Sequence, residues 1–193
     1  MDFDHWRFTA RGVLMEWLRR PEAAIAAYEQ ALRARPDDLR TLRGVAWLHA
    51  QAQRWAAAAE GFERALALDP THADSWFNLG YARERLGARE AAIAAFARAT
   101  ELNPRHDRAW YGLGLARAQQ GEHALAAQAL RHAAELQPMN GPAWFALGMA
   151  HHHCNEPDEV RRVVEHCALH DPQAARKLVQ EANRPDLARL LPG

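Results

Sequence analysis

The side chains best suited to chemistry gather late in the chain: His151-His152-His153-Cys154, then His166, Cys167 and His170. Imidazole and thiolate are zinc ligands, and a structural zinc site needs four of them around one ion. The spacing argues against that. Consecutive residues of a helix point about 100° apart, so the histidine triplet cannot converge. Cys154 falls beside a turn and Cys167 about ten residues up the returning helix, roughly 15 Å away at 1.5 Å per residue. His166 and His170 share a face at i and i+4, which makes two ligands only. The expectation is a solvated, histidine-rich segment without a metal.

Covalent chemistry has little to draw on. The sequence holds 42 Ala and 23 Arg but one lysine, Lys177, and one serine, Ser75, so nucleophiles of the usual kinds are nearly absent. Gly112-Leu113-Gly114-Leu115-Ala116-Arg117 begins like a dinucleotide loop, yet it follows no strand and lacks a third glycine. No Walker sequence, His-Glu-x-x-His or Gly-x-Ser-x-Gly occurs. The expectation is no enzyme and no cofactor. Two cysteines cannot build a disulfide framework.

The elements that position these residues follow a period. Across 193 residues, prolines stand at Pro36, Pro70, Pro104, Pro138 and Pro172, each 34 after the last. Trp76, Trp110 and Trp144 keep the same step, with Phe8 and Leu42 in the earlier places. Gly12, Ala46, Gly80, Gly114 and Gly148 form a small column. Ala24, Ala58, Ala92, Ala126 and Val160 form another, and Ala31, Ala65, Ala99, Ala133 and Cys167 a third. Tyr28, Phe62, Phe96, Leu130 and Val164 form a large apolar one. Five units result, roughly 5–38, 39–72, 73–106, 107–140 and 141–174.

Each unit reads as two helices. Trp76, Leu79, Gly80 and Arg83 fall on one side of a helix at i, i+3, i+4 and i+7. Gly87, Gly121 and Asn155 offer left-handed C-caps to the first helices. The second helices stop before Asn103-Pro104 and its equivalents, and Pro21 and Pro157 suit a helix start. Gly80 is expected to face Ala92 and Ala99, so that two backbones approach closely while Trp76 and Phe96 fill the flanks. Because one pair cannot bury its stripe alone, stacked neighbours share a continuous core. Residues 175–193 complete the chain as a capping helix and tail: Leu178, Val179 and Ala182 face inward, Asp171 is the N-cap, and Leu187, Leu190 and Leu191 form a last turn.

With W-x2-L-G at Trp76–Gly80, Trp110–Gly114 and Trp144–Gly148, followed by Ala, Phe, Ala and Pro, the sequence resembles the tetratricopeptide repeat over residues 5 to 174. The resemblance implies an all-α fold, a right-handed solenoid of antiparallel helix pairs with a C-terminal capping helix. The tyrosine the family often carries three residues after the glycine is here Met15, His49, Arg83, Arg117 or His151.

The side of each first helix opposite its core stripe should be polar, and it is not. Two columns there read Thr9, Arg43, Phe77, Tyr111, Phe145 and Val13, Trp47, Tyr81, Leu115, Met149. In the family these places resemble the lining of the concave groove where a partner segment lies. A contiguous apolar patch rimmed by charge marks an interaction site. The expected site is Arg43, Trp47, Phe77, Tyr81, Arg108, Tyr111, Leu115, Phe145 and Met149. It would receive a protein or peptide segment with apolar side chains, and an acidic group could meet Arg43 or Arg108. The chaperone carboxylate clamp of some relatives does not fit, since its lysines are absent and Trp47 replaces an asparagine.

Lys+Arg and Asp+Glu are both 24, and a neutral chain lacks the cationic excess that RNA or an anionic membrane would require. No run approaches the ~20 apolar residues of a membrane span. Nor does the N-terminal stretch read as a secretory signal, which makes the cytoplasm of a bacterial-looking, Arg-rich source the default. The reading is a non-enzymatic adaptor for a protein segment. The alternative is a small secretion-type or assembly chaperone, and self-association through the C-terminal leucines or exposed end repeats is a further possibility.

Overall fold

The computed structural model describes residues 3–192. It is all-α, and among the described residues no strand occurs. Contacts divide the chain into two compact units, one reaching to Leu102 and one starting at Asn103.

The first unit holds α1 (Phe3–Trp17), α2 (Pro21–Ala34), α3 (Leu39–Gln51), α4 (Trp55–Leu68), α5 (Ala73–Arg85) and α6 (Arg89–Leu102). Its core is the small and large columns together: Ala24, Ala58, Ala92, Tyr28, Phe62 and Phe96 are all buried. The second unit holds α7 (Asp107–Gln119), α8 (His123–Leu136), α9 (Gly141–His153), α10 (Pro157–His170), α11 (Pro172–Glu181) and a 3-10 turn at Pro185–Leu190. There Ala126, Leu130, Val160, Val164, Leu178 and Leu187 share one buried cluster.

The helix ends are specified residue by residue. Side chains of Asp38, His72, His106 and Asn140, again 34 apart, accept hydrogen bonds from the backbone N–H of Thr41, Ser75, Ala109 and Ala143. Two of the eleven histidines are thus N-caps. Asp171 does the same for α11 through Ala174. Inside each hairpin one residue takes a left-handed conformation: Arg19, Gln53, Gly87, Gly121 and Asn155. The next N–H then reaches back to close the turn, as Arg54 does to the carbonyl of His49 at 2.9 Å and Glu122 to that of Arg117 at 3.0 Å. The glycines and Asn155 were legible as caps. Arg19 and Gln53 were not, because neither residue type advertises positive φ.

The close approach at the glycines is real, but its partner differs from the expected one. A Cβ on Gly80 would lie 2.7 Å from the Phe96 ring rather than against Ala92 or Ala99. On Gly114 it would lie 2.5 Å from Leu130 Cγ, and Gly12 faces the Tyr28 ring. The glycine makes room for the large column, and the alanines bury elsewhere along the same helices. Gly148 breaks the series, because Leu178 of α11 fills its space.

Candidate functional site

In the first unit, α3 carries Arg43 and Trp47, and α5 carries Phe77 and Tyr81. Their environments differ. Arg43 is engaged by Asp69 at the end of α4. Asp69 also accepts from the backbone N–H of Thr71 at 3.1 Å and its hydroxyl at 2.6 Å. The two Thr71 bonds, then the guanidinium, hold the Asp69 carboxyl down at about 2. Phe77 turns toward the core, its ring 5.9 Å from that of Phe96. Tyr81 meets Trp55 edge-on at 5.5 Å, and the Arg85 guanidinium covers the same indole at 4.9 Å. Trp47 and Tyr81 nevertheless keep 45% and 40% of their surface in solvent. Trp47 also lines a cavity of about 520 Å³ with Glu16, Arg19, Pro21, Leu48 and Gln51.

The second unit gathers its expected residues more tightly. Tyr111 and Leu115 of α7 and Phe145 of α9 wall a cavity of about 450 Å³. Its other walls are Gly141, Pro142 and Ala146 of α9 and the α11 segment Asp171, Gln173, Ala174 and Lys177. The Lys177 ammonium stands 4.4 Å from the centre of the Phe145 ring, a cation–π contact. It also lies 3.7 Å from Glu181. Burial raises the Tyr111 hydroxyl pKa, which keeps it a neutral donor. Met149 is half-buried against the same core. Arg108 is exposed one turn before Tyr111 and does not line the cavity.

Sequence reasoning missed the α11 wall. α11 starts at Pro172, three residues ahead of where a further 34-residue step would place it, so the repeat columns do not carry over to it. The one available signal was Lys177 itself, the chain's sole lysine.

The expected solvated segment holds only in part: His151 is buried and His152 and His166 are half-buried, while His153 and His170 are exposed. His151 is buried and bonds Glu156 through Nδ1 at 2.5 Å, while its Nε2 faces Arg131 at 3.3 Å. His166 stacks on Trp144 at 3.8 Å and bonds the Pro138 carbonyl at 3.1 Å. His153 stacks on His123 at 4.5 Å. A ring that packs on an indole or is capped by carboxylate gains more than a solvated one, and neighbouring helices supply those partners. Among the described residues no three His, Cys, Asp or Glu side chains could share a metal ion. None of the described helices is long and apolar enough to cross a membrane.

The repeat period, the capped hairpins and the glycine–aromatic contacts define a class, and sequence comparison agrees. The tetratricopeptide repeat profile matches residues 18–73, 46–99 and 77–140. The chain belongs to the tetratricopeptide repeat family, and its fold is an all-α solenoid of tandem helix hairpins. Among solved structures it is similar to a MamA protein, at 26% identity over 97% of this chain and 98% of that one, with a TM-score of 0.81. It is also similar in fold to YrrB, described as a TPR protein with an unusual peptide-binding site, at 20% identity, 92% and 90% coverage and a TM-score of 0.79. A MamA fragment from Desulfovibrio magneticus RS-1 aligns at 19% identity over 89% and 99%, with a TM-score of 0.76. No curated protein matches the chain in sequence.

Proposed function

We propose that this chain is a non-enzymatic protein-interaction module that holds a segment of another protein on the face of its first helices. One observation carries the reading: the cavity walled by Tyr111, Leu115 and Phe145, closed by α11, with Lys177 over the aromatic ring. Aromatic walls with a few placed polar groups describe a site for a side chain. The ammonium at the rim selects an acidic residue or a terminal carboxylate beside that side chain. Trp47 and Tyr81 add exposed aromatic surface in the first unit, and aromatic residues dominate interface energetics. The peptide-binding site named for YrrB is a property of that protein; here the reading rests on this chain's own residues.

The test is selection from a random peptide library against the whole chain, followed by calorimetry on the selected peptides. Selected sequences should pair an apolar residue with a neighbouring acid. Tyr111→Ala with Phe145→Ala should weaken binding at least about tenfold at unchanged helicity, and Lys177→Glu should remove the acid from the selected set. Equal affinity in the double variant would overturn the assignment.

A further inference from the structure

The outward side of α1 is apolar. A helix that buries one stripe should turn polar residues the other way. α1 sets Gly12 against Tyr28 of α2, yet its Phe3, Trp6, Val13, Leu14 and Trp17, and Leu18 just past its end, are each between 45% and 77% exposed. At about 100° per residue these six and Ala10 fall in an arc of roughly 140° centred opposite Gly12. The contrast with the rest of the chain is sharp at Leu14. Its equivalents Leu48, Ala82, Ala116 and Ala150 are all buried.

Spacing and size both point to the occupant. Phe3, Trp6, Ala10, Val13 and Trp17 are separated by three, four, three and four residues, the seam of a two-helix coil. The large aromatics Phe3 and Trp17 stand at the two ends and a methyl group, the exposed Ala10, at the centre. Two α1 helices crossing antiparallel would set Ala10 on Ala10 where the backbones come closest. Each Trp6 would then lie beside the smaller Val13 and Leu14 of the second copy, and each Phe3 beside Trp17. Such a patch is self-complementary, so the contact closes at two copies.

Area and charge agree. The six side chains expose on the order of 700 Å², close to the ~800 Å² per partner of a standard interface and above the roughly 300–600 Å² patches of monomers. Asp4 and Glu16 balance Arg7 and Arg11 within α1, and Arg7 pairs with Asp4 at 3.1 Å. Arg19 and Arg20 follow the helix, but along α1 itself the cationic excess with which interfacial helices bind anionic lipid is absent.

We propose that this chain forms a two-fold dimer through the outward faces of two antiparallel α1 helices. Sedimentation equilibrium of the full chain should show the 21.7 kDa species passing to twice that mass as concentration rises. Trp6→Glu with Trp17→Glu should raise the dissociation constant at least about 100-fold at unchanged helicity. Ala10→Arg, which charges the crossing point, is the second variant should the first fail to fold. In a Cys154→Ala background, Phe3→Cys mixed with Trp17→Cys should form a disulfide-linked dimer on mild oxidation, whereas Phe3→Cys alone should not. A chain that stays at one mass at every concentration overturns the proposal, as does a dimer that survives both variants or crosslinking of Phe3→Cys to itself. Trp6-dependent flotation with phosphatidylserine vesicles, without a dimer, would also overturn it and make α1 a lipid-facing helix.

Discussion

The indole N–H of Trp110 donates to the carbonyl of Pro104, six residues earlier, at 2.9 Å. Trp76 and Pro70 repeat the contact at 2.9 Å, and Trp144 and Pro138 at 3.0 Å. Two columns that the sequence displays as separate periodicities are therefore one device. The proline stands two residues past the end of the preceding second helix, where its carbonyl has no helical partner, and the tryptophan of the next first helix satisfies it.

Removing the donor while keeping a ring tests this. Trp110→Phe should lower stability by about 1 kcal/mol, the net worth of one partly exposed hydrogen bond, and it also loosens the stack on His132, now 4.4 Å away. The shift in urea midpoint, read against Trp47→Phe, an exposed tryptophan outside α1, measures it. A loss no larger than the control's would mean the bond is incidental.

Two glycines should respond with opposite sign. Gly114→Ala pushes a methyl group into Leu130, and overpacking of this kind costs about 1–3 kcal/mol, more than the ~1 kcal/mol of helix propensity regained. Around Gly44 an added methyl group would meet nothing within 4 Å, so Gly44→Ala should stabilise by up to about 1 kcal/mol. Thermal unfolding of both variants decides it, and Leu130→Ala should relieve part of the Gly114→Ala cost in a double-mutant cycle.

Gln53 occupies the left-handed position that Gly87 and Gly121 occupy in later hairpins. A side chain with a Cβ there costs roughly 1–2 kcal/mol, partly offset by the greater unfolded-state freedom of glycine. Gln53→Gly should stabilise by about 0.5–1 kcal/mol, whereas Gly121→Ala should destabilise by a similar amount. Midpoints of chemical denaturation for the two variants should move in opposite directions.

Acid should act through Asp69. Its folded carboxyl titrates at about 2 against an ordinary value of 3.8, first because Thr71 donates to it and then because Arg43 faces it. A depressed folded pKa adds stability that is present above the unfolded value and is lost as pH falls from about 4 toward 2. The melting temperature of the native chain should drop across that window more steeply than that of Asp69→Asn. Parallel slopes would exclude Asp69 as the cause.

What reading the sequence could reach is explained by what repeats. A residue with the same job in every unit leaves a column, so Pro104, Trp110, Gly114 and the buried alanines were legible together with the helices they belong to. The same holds for Tyr111, Leu115 and Phe145, whose columns place them on the same side of two successive first helices. Gly80 shows the limit: the column revealed a close approach, while the identity of the Phe96 partner depended on how two helices rotate against each other.

Local spacing alone determined the hairpins, the N-cap at Asp171 and the left-handed caps at Gly87, Gly121 and Asn155, since each depends on neighbours within a turn or two of the chain. Only the tertiary structure decided that Lys177 reaches Phe145, that Asp69 engages Arg43 and that Arg131 reaches His151. Those contacts join residues from different segments of the chain. Their distances follow from packing, not from the period, so no count along the sequence contains them.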